Sequence, residues 1–163
     1  MSEENLNQFE VISAGRAGLR LGQVSELTII IPLKPGGADN LRKKLRENPN
    51  QAEVMARIGT VHDMRWVIFD EDKRLLFATA YDGDWDGYID DFGTQIPKVL
   101  DYFFMETEGY PGINSPTIKD FIASHQITSS GWYCAYPENT VKDIWKAGRI
   151  VKAFNNLLDE AQK

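Results

Sequence analysis

The chain has 163 residues with a formal charge of −6, 42% hydrophobic and 26% charged residues. This is an ordinary globular composition long enough to bury one core, and its acidity excludes nonspecific binding to nucleic acid or to anionic membrane surfaces. One cysteine (Cys134) and two histidines (His62, His125) exclude an intrachain disulfide, a Cys-rich zinc site and a multi-His metal centre.

"MSEENLNQFEVISAG" begins acidic and lacks the basic and apolar regions of a signal peptide. No apolar run approaches a membrane span, so the expected compartment is the cytoplasm. Residues 1–24, with the glycines of "AGRAGLRLG", read as a leader that packs over the domain or is partly disordered; residues 25–163 read as one domain. "ELTIIIPLKP" predicts a strand stopped by Pro35-Gly36-Gly37. Asp39 is the expected cap of the next helix, which carries Leu41 and Leu45 and ends at Pro49. The basic run Arg42-Lys43-Lys44 with Arg46 reads as the wet face of that helix. A further turn or two through Val54, Met55 and Ile58 ends at Gly59.

"TVHDMRWVIFD" and "RLLFATAYD" form a predicted hairpin around the polar turn Asp70–Lys73. Trp85, Tyr88, Ile89, Phe92, Ile96, Leu100, Phe103 and Phe104 recur at helical spacing, with a kink or split expected at Gly93 or Pro97. "EGYPGIN" is a loop, Ser115-Pro116 opens a short helix, and "QITSSGWYCAY" reads as a last strand. Thr140 and Asp143 form a capping box before an amphipathic helix whose expected buried stripe is Ile144, Ala147, Val151, Phe154 and Leu158. The order is strand, helix, strand, strand, helix, strand and a closing helix: an α+β, ferredoxin-like split βαβ arrangement.

The turn fixes a register. Pairing Phe69 with Arg74 sets Ile68 against Leu75, Trp66 against Phe77, Met64 against Thr79 and His62 against Tyr81. Alternation puts these residues on one face, with Asp63, Arg65, Val67, Leu76, Ala78 and Ala80 on the other. Both faces are largely apolar. Helices cover one, and a second copy of the chain is the economical cover for the other.

This order, together with a two-sided apolar sheet, resembles the dimeric α+β barrel superfamily, in which two ferredoxin-like sheets pack face to face. The superfamily includes small monooxygenases, muconolactone-isomerase-like proteins, haem peroxidases of the chlorite-dismutase-like and dye-decolourising kinds, and stress-response proteins. The resemblance is architectural and covers roughly residues 25–137. The strings "GTVHDMRWVIFD", "YDGDWDGYIDDF" and "EGYPG" also resemble a group of bacterial proteins without an assigned activity, so no catalytic residue carries over. The resemblance implies a homodimer that binds a small apolar or aromatic ligand or acts as a small oxidoreductase, with haem as the candidate cofactor.

The candidate catalytic residues are His62 and Tyr81, with His62 as a general base, an axial haem ligand or a donor to a bound ligand. The ordinary alternative for His62 is a half-buried histidine bonded to Tyr81 or to a backbone carbonyl. Arg65, Trp66 and Tyr133 are candidate ligand-binding residues, Arg65 as the partner of a carboxylate or propionate. Strict alternation sets His62 and Arg65 on opposite faces unless a bulge intervenes. Asp82, Asp84 and Asp86 with Gly87 match part of a calcium loop, but Gly93 stands where the bidentate Glu belongs and a strand leads in where a helix is needed. An acidic strand-to-helix junction capped by Asp84 or Asp86 is the simpler reading. An interaction module that docks another protein through its sheet and final helix is the alternative function; a calcium-stabilised domain is a third.

Overall fold

The computed structural model describes residues 9–48 and 51–162. In chain order the elements are β1 (Val11–Ser13), β2 (Leu19–Leu21), β3 (Val24–Pro32), α1 (Gly37–Glu47), α2 (Ala52–Ile58), β4 (Val61–Phe69), β5 (Arg74–Asp82), α3 (Trp85–Gln95), α4 (Pro97–Phe104), α5 (Ile118–His125) and α6 (Val141–Ala161). The five strands form one antiparallel open sheet in the order β1-β2-β3-β5-β4, so the class is α+β. Pro49 and residues 1–8 of the expected leader lie outside the described residues.

Alternation along β3 and β5 aims Leu27, Ile29, Ile31, Leu75, Phe77 and Tyr81 at the helices, where all are buried. Trp85, Tyr88, Ile89 and Phe92 of α3 close over them, together with Leu100, Phe103 and Phe104 of α4. The helical period breaks at Ile96, where Pro97 opens α4 at a position that needs no backbone N–H. The packing leaves a void of about 30 Å³, room for about one water.

Four local expectations are corrected. Gly36 caps α1 in the left-handed region (φ 75°), which shifts the start of the helix and leaves Asp39 inside its first turn. Ser115 and Pro116 lie in a turn before α5, whose cap is Thr117. "QITSSGWYCAY" forms no strand; a single bridge pairs Gln126 with Ile29. The first residues of β3 are already paired with β2, and buried Glu26 draws the segment across by accepting from Ser129 N–H at 3.1 Å, as it also does from Leu19 N–H at 3.1 Å.

The fourth concerns α6. Its capping box forms as expected, with Thr140 Oγ1 accepting from Asp143 N–H at 3.2 Å and Asp143 accepting from Thr140 N–H at 3.1 Å. The stripe expected to be buried is instead exposed, and Val141 is the only buried residue of the helix. Amphipathic spacing selects a face for burial but does not supply the surface that buries it.

Candidate functional site

The predicted register holds from Phe69/Arg74 to Asp63/Ala80 and then slips, so that Val61 pairs with Tyr81 and His62 is the extra residue of a β-bulge. The expected pairing of His62 with Tyr81 is thereby corrected. Tyr81 points inward, so its neighbour Asp82 points to the other side of the sheet. There His62 Nε2 lies 2.7 Å from Asp82 Oδ1, and Asp82 Oδ2 accepts the Val141 N–H at 2.8 Å. One carboxylate thus holds both the bulge and the first residue of α6.

Both members of the pair are largely sheltered, with side-chain exposures of 18% for His62 and 9% for Asp82. A neutral imidazole donating from Nε2 to Asp82 leaves Nδ1 as an acceptor, and no partner takes it up among the described residues. His62 borders an open cleft of about 350 Å³ between α2 and β4, shared with Gln51, Met55, Asp63, Met64 and Trp66. The arrangement can orient an imidazole as an acceptor or base toward a small molecule.

Of the other candidates only Trp66 borders that cleft; Tyr81, Arg65 and Tyr133 stand elsewhere. Tyr81 is fully buried and stacks on Tyr88 at 3.8 Å between ring centres. Burial raises its pKa well above the ordinary phenol value, so it keeps its proton. Ser25 stands beside its hydroxyl but gives its own proton to the Gly83 carbonyl at 2.6 Å, leaving the Tyr81 hydroxyl without a well-formed bond. Arg65 lies on the outer face, 67% exposed and 3.6 Å from Asp63. Trp66 points inward against Phe77, Phe103 and Phe104, with ring centres 4.6, 5.4 and 5.0 Å apart. Tyr133 is 82% exposed on the irregular segment before α6.

This dispersal does not build a haem site. Asp82 takes Nε2 of His62 and leaves Nδ1 open, but Arg65, the candidate propionate partner, stands on the outer face, away from the cleft that His62 and Trp66 border. The acidic run also separates. Asp82 turns to His62, Asp84 accepts from Gly87 N–H at 2.9 Å as the cap of α3, and Asp86 meets Lys119 at 3.0 Å. Among the described residues no group of three His, Cys, Asp or Glu side chains gathers around a common point. Burial pushes the Cys134 thiol up, opposite to what an activated thiolate requires. His125 Nδ1 bonds the Phe121 carbonyl at 2.8 Å, an end-of-helix contact.

Sequence reasoning missed Asp82 as the partner of His62, because the pairing depends on a bulge that the alternating pattern does not encode. It also expected the apolar stripe of α6 to be buried within the chain and read docking through this helix as the alternative. Ile144, Ile150, Val151, Phe154, Leu157 and Leu158 are between 41% and 66% exposed. At about 100° per residue, these positions, with Ala147 and Ala161, share an arc of about 140°, while Lys142, Lys146, Arg149 and Lys152 lie outside it. The outer face of the sheet also lacks a helix: Val67 is 45% exposed, and Thr28, Ile30, Leu76 and Ala80 are half-buried. No helix among the described residues is long and apolar enough to cross a membrane. No protein-family model, curated protein or solved structure matches the chain.

Proposed function

We propose that this chain is an interaction module that docks another protein chain through α6 and the outer face of its sheet. The observation that carries the reading is the unpartnered apolar arc of α6: every residue from Lys142 to Gln162 is exposed, including seven large aliphatic or aromatic side chains, six of them on the arc. These side chains are about half exposed, so leaving the arc in water forfeits roughly 1 kcal/mol per large side chain that burial would return. The ferredoxin-like reading fits the same picture, since β3, α1, β4, β5 and α3 run in the expected order and a sheet of that kind leaves one face for a partner.

Hydrogen exchange tests this reading. A helix of 21 residues without packing is marginal in water, so persistent protection along α6 requires a docked face. In concentrated protein the α6 amides should be protected, and Phe154→Asp should strip that protection without affecting β3 or β5. Free-peptide exchange along α6 at the highest soluble concentration would sink the reading.

A second reading, small-ligand binding, draws support from the free Nδ1 of His62 on its cleft. Aromatic fragments that shift the Trp66 ring signals in NMR, and cease to do so in His62→Ala, would favour it.

A further inference from the structure

We infer that the partner of α6 is a second copy of this chain, with each α6 laid across the outer sheet face of the other copy as an exchanged arm. The inference rests on the interaction-module reading and adds the identity of the occupant.

The root of the helix is anchored to the sheet. Asp82 accepts the Val141 N–H at 2.8 Å, the capping box of Thr140 and Asp143 closes the first turn, and Val141 is 5% exposed. Gly59 lies against the same turn, so close that a methyl group there would stand 3.2 Å from Lys142 Cε. These contacts fix the direction in which α6 leaves. Beyond them the helix touches its own chain little, and Trp145 is already 43% exposed. Folding α6 back onto its own sheet would require the Val141 bond to Asp82 and the burial of Val141 to be given up, whereas the capping box would travel with the helix. The outer face, bearing Ile30, Val67, Leu76 and Ala80, is therefore left for an arm from elsewhere.

The two surfaces suit each other. One is a wide apolar helical arc; the other is an antiparallel sheet face of aliphatic and small side chains. One chain carries both, so two copies satisfy both at once through a two-fold exchange. A helix of 21 residues is about 31 Å long and about 10 Å wide, so its apolar side covers on the order of 300 Å². Two exchanged arms, counted on helix and sheet alike, remove on the order of 1,200 Å², the lower edge of a stable interface.

Light scattering on size-exclusion fractions of the full chain and two variants tests this. Phe154→Asp disables the arm and Val67→Lys disables the face. Both positions are exposed, at 57% and 45%, so neither substitution should lower the melting temperature much. If Val67→Lys does impair folding, Thr28→Lys on the same face replaces it. The wild type should elute at twice the chain mass, and each variant should associate about 30-fold more weakly or worse. Mixing the two variants should recover part of the lost association, because the intact arm of the Val67→Lys copy meets the intact face of the Phe154→Asp copy while the second arm and face both stay disabled.

A monomeric wild type, or no recovery on mixing, would overturn the exchange. So would a Val67→Lys and Thr28→Lys pair of variants that both remain dimeric while Phe154→Asp does not, since arm would then be pairing with arm. Protected α6 amides in a dimer that fails the mixing test would overturn the exchange alone. Unprotected amides would remove the interaction reading as well.

Discussion

Glu106 shows how a single charge is held at the rim of the core. Burial pushes its carboxyl up, but hydrogen bonds from Lys44 and Asn40 and the charge of Lys44 outweigh that, and the net pKa lies below the ordinary glutamate value. A folded pKa below the unfolded one gives stability that is present above the unfolded pKa, about 4.3, and is lost as pH falls through the folded value. Glu106→Gln should therefore cost about 1 to 3 kcal/mol at neutral pH. The gap to wild type should shrink as pH falls below about 4 in denaturant titrations. A gap that stays constant into acid would show that the pair contributes little. The site residues differ in how legible they were. His62 stood out as a lone histidine on an apolar strand, yet its partner did not. Asp82 sits in an acidic run whose members look equivalent in sequence, and only the bulge at His62 distinguishes it.

At the scale of elements, the Asp70–Lys73 turn is under backbone strain. Asp70, Glu71 and Asp72 all have left-handed φ values, 57°, 50° and 66°, where a non-glycine residue costs about 1 to 2 kcal/mol. Asp70 and Asp72 are held by Arg74 and Arg42, while Glu71 meets only the exposed Lys73. Glu71→Gly should then raise stability by about 0.5 to 1 kcal/mol after its entropic cost, or about 1 to 4 °C in melting temperature. A lower melting temperature would show that the Glu71 side chain matters more than its backbone. This turn also set the hairpin register, so most of the sheet could be read from local signals. The failure at "QITSSGWYCAY" has the opposite cause. Its residues suit a strand, but β2 takes the first two residues of the β3 edge, Glu108 reaches the far end at Pro32, and the Glu26 carboxylate draws Ser129 aside; such competition between distant segments leaves no local trace.

For the whole molecule, the helices seal one side of the sheet and leave the other to the surroundings. The first half of that arrangement was visible in the two-sided apolar hairpin. The second was read there too, as a face left for a second copy; what was misassigned is the apolar stripe of α6, expected to be buried within the chain, because a pattern of apolar residues states a demand for burial without saying which chain meets it. The inner side, with its void of about 30 Å³, offers a ligand little space, so selectivity has to be sought at the outer face, the His62 cleft and the arm.

The grip of Asp82 on Val141 bears on how fast such an assembly could reshuffle. An arm pinned at its root and free along its length can change hosts by peeling away, with no hydrogen bond of the sheet disturbed. Differently labelled populations should scramble within the lifetime of the docked arm, far sooner than the core opens to hydrogen exchange. If scrambling instead waits for global unfolding, the arm is threaded more deeply than a surface contact allows. Asp82→Asn, which weakens the pivot while sparing the arc, should loosen the angle at which the arm is offered and slow the capture of a new host.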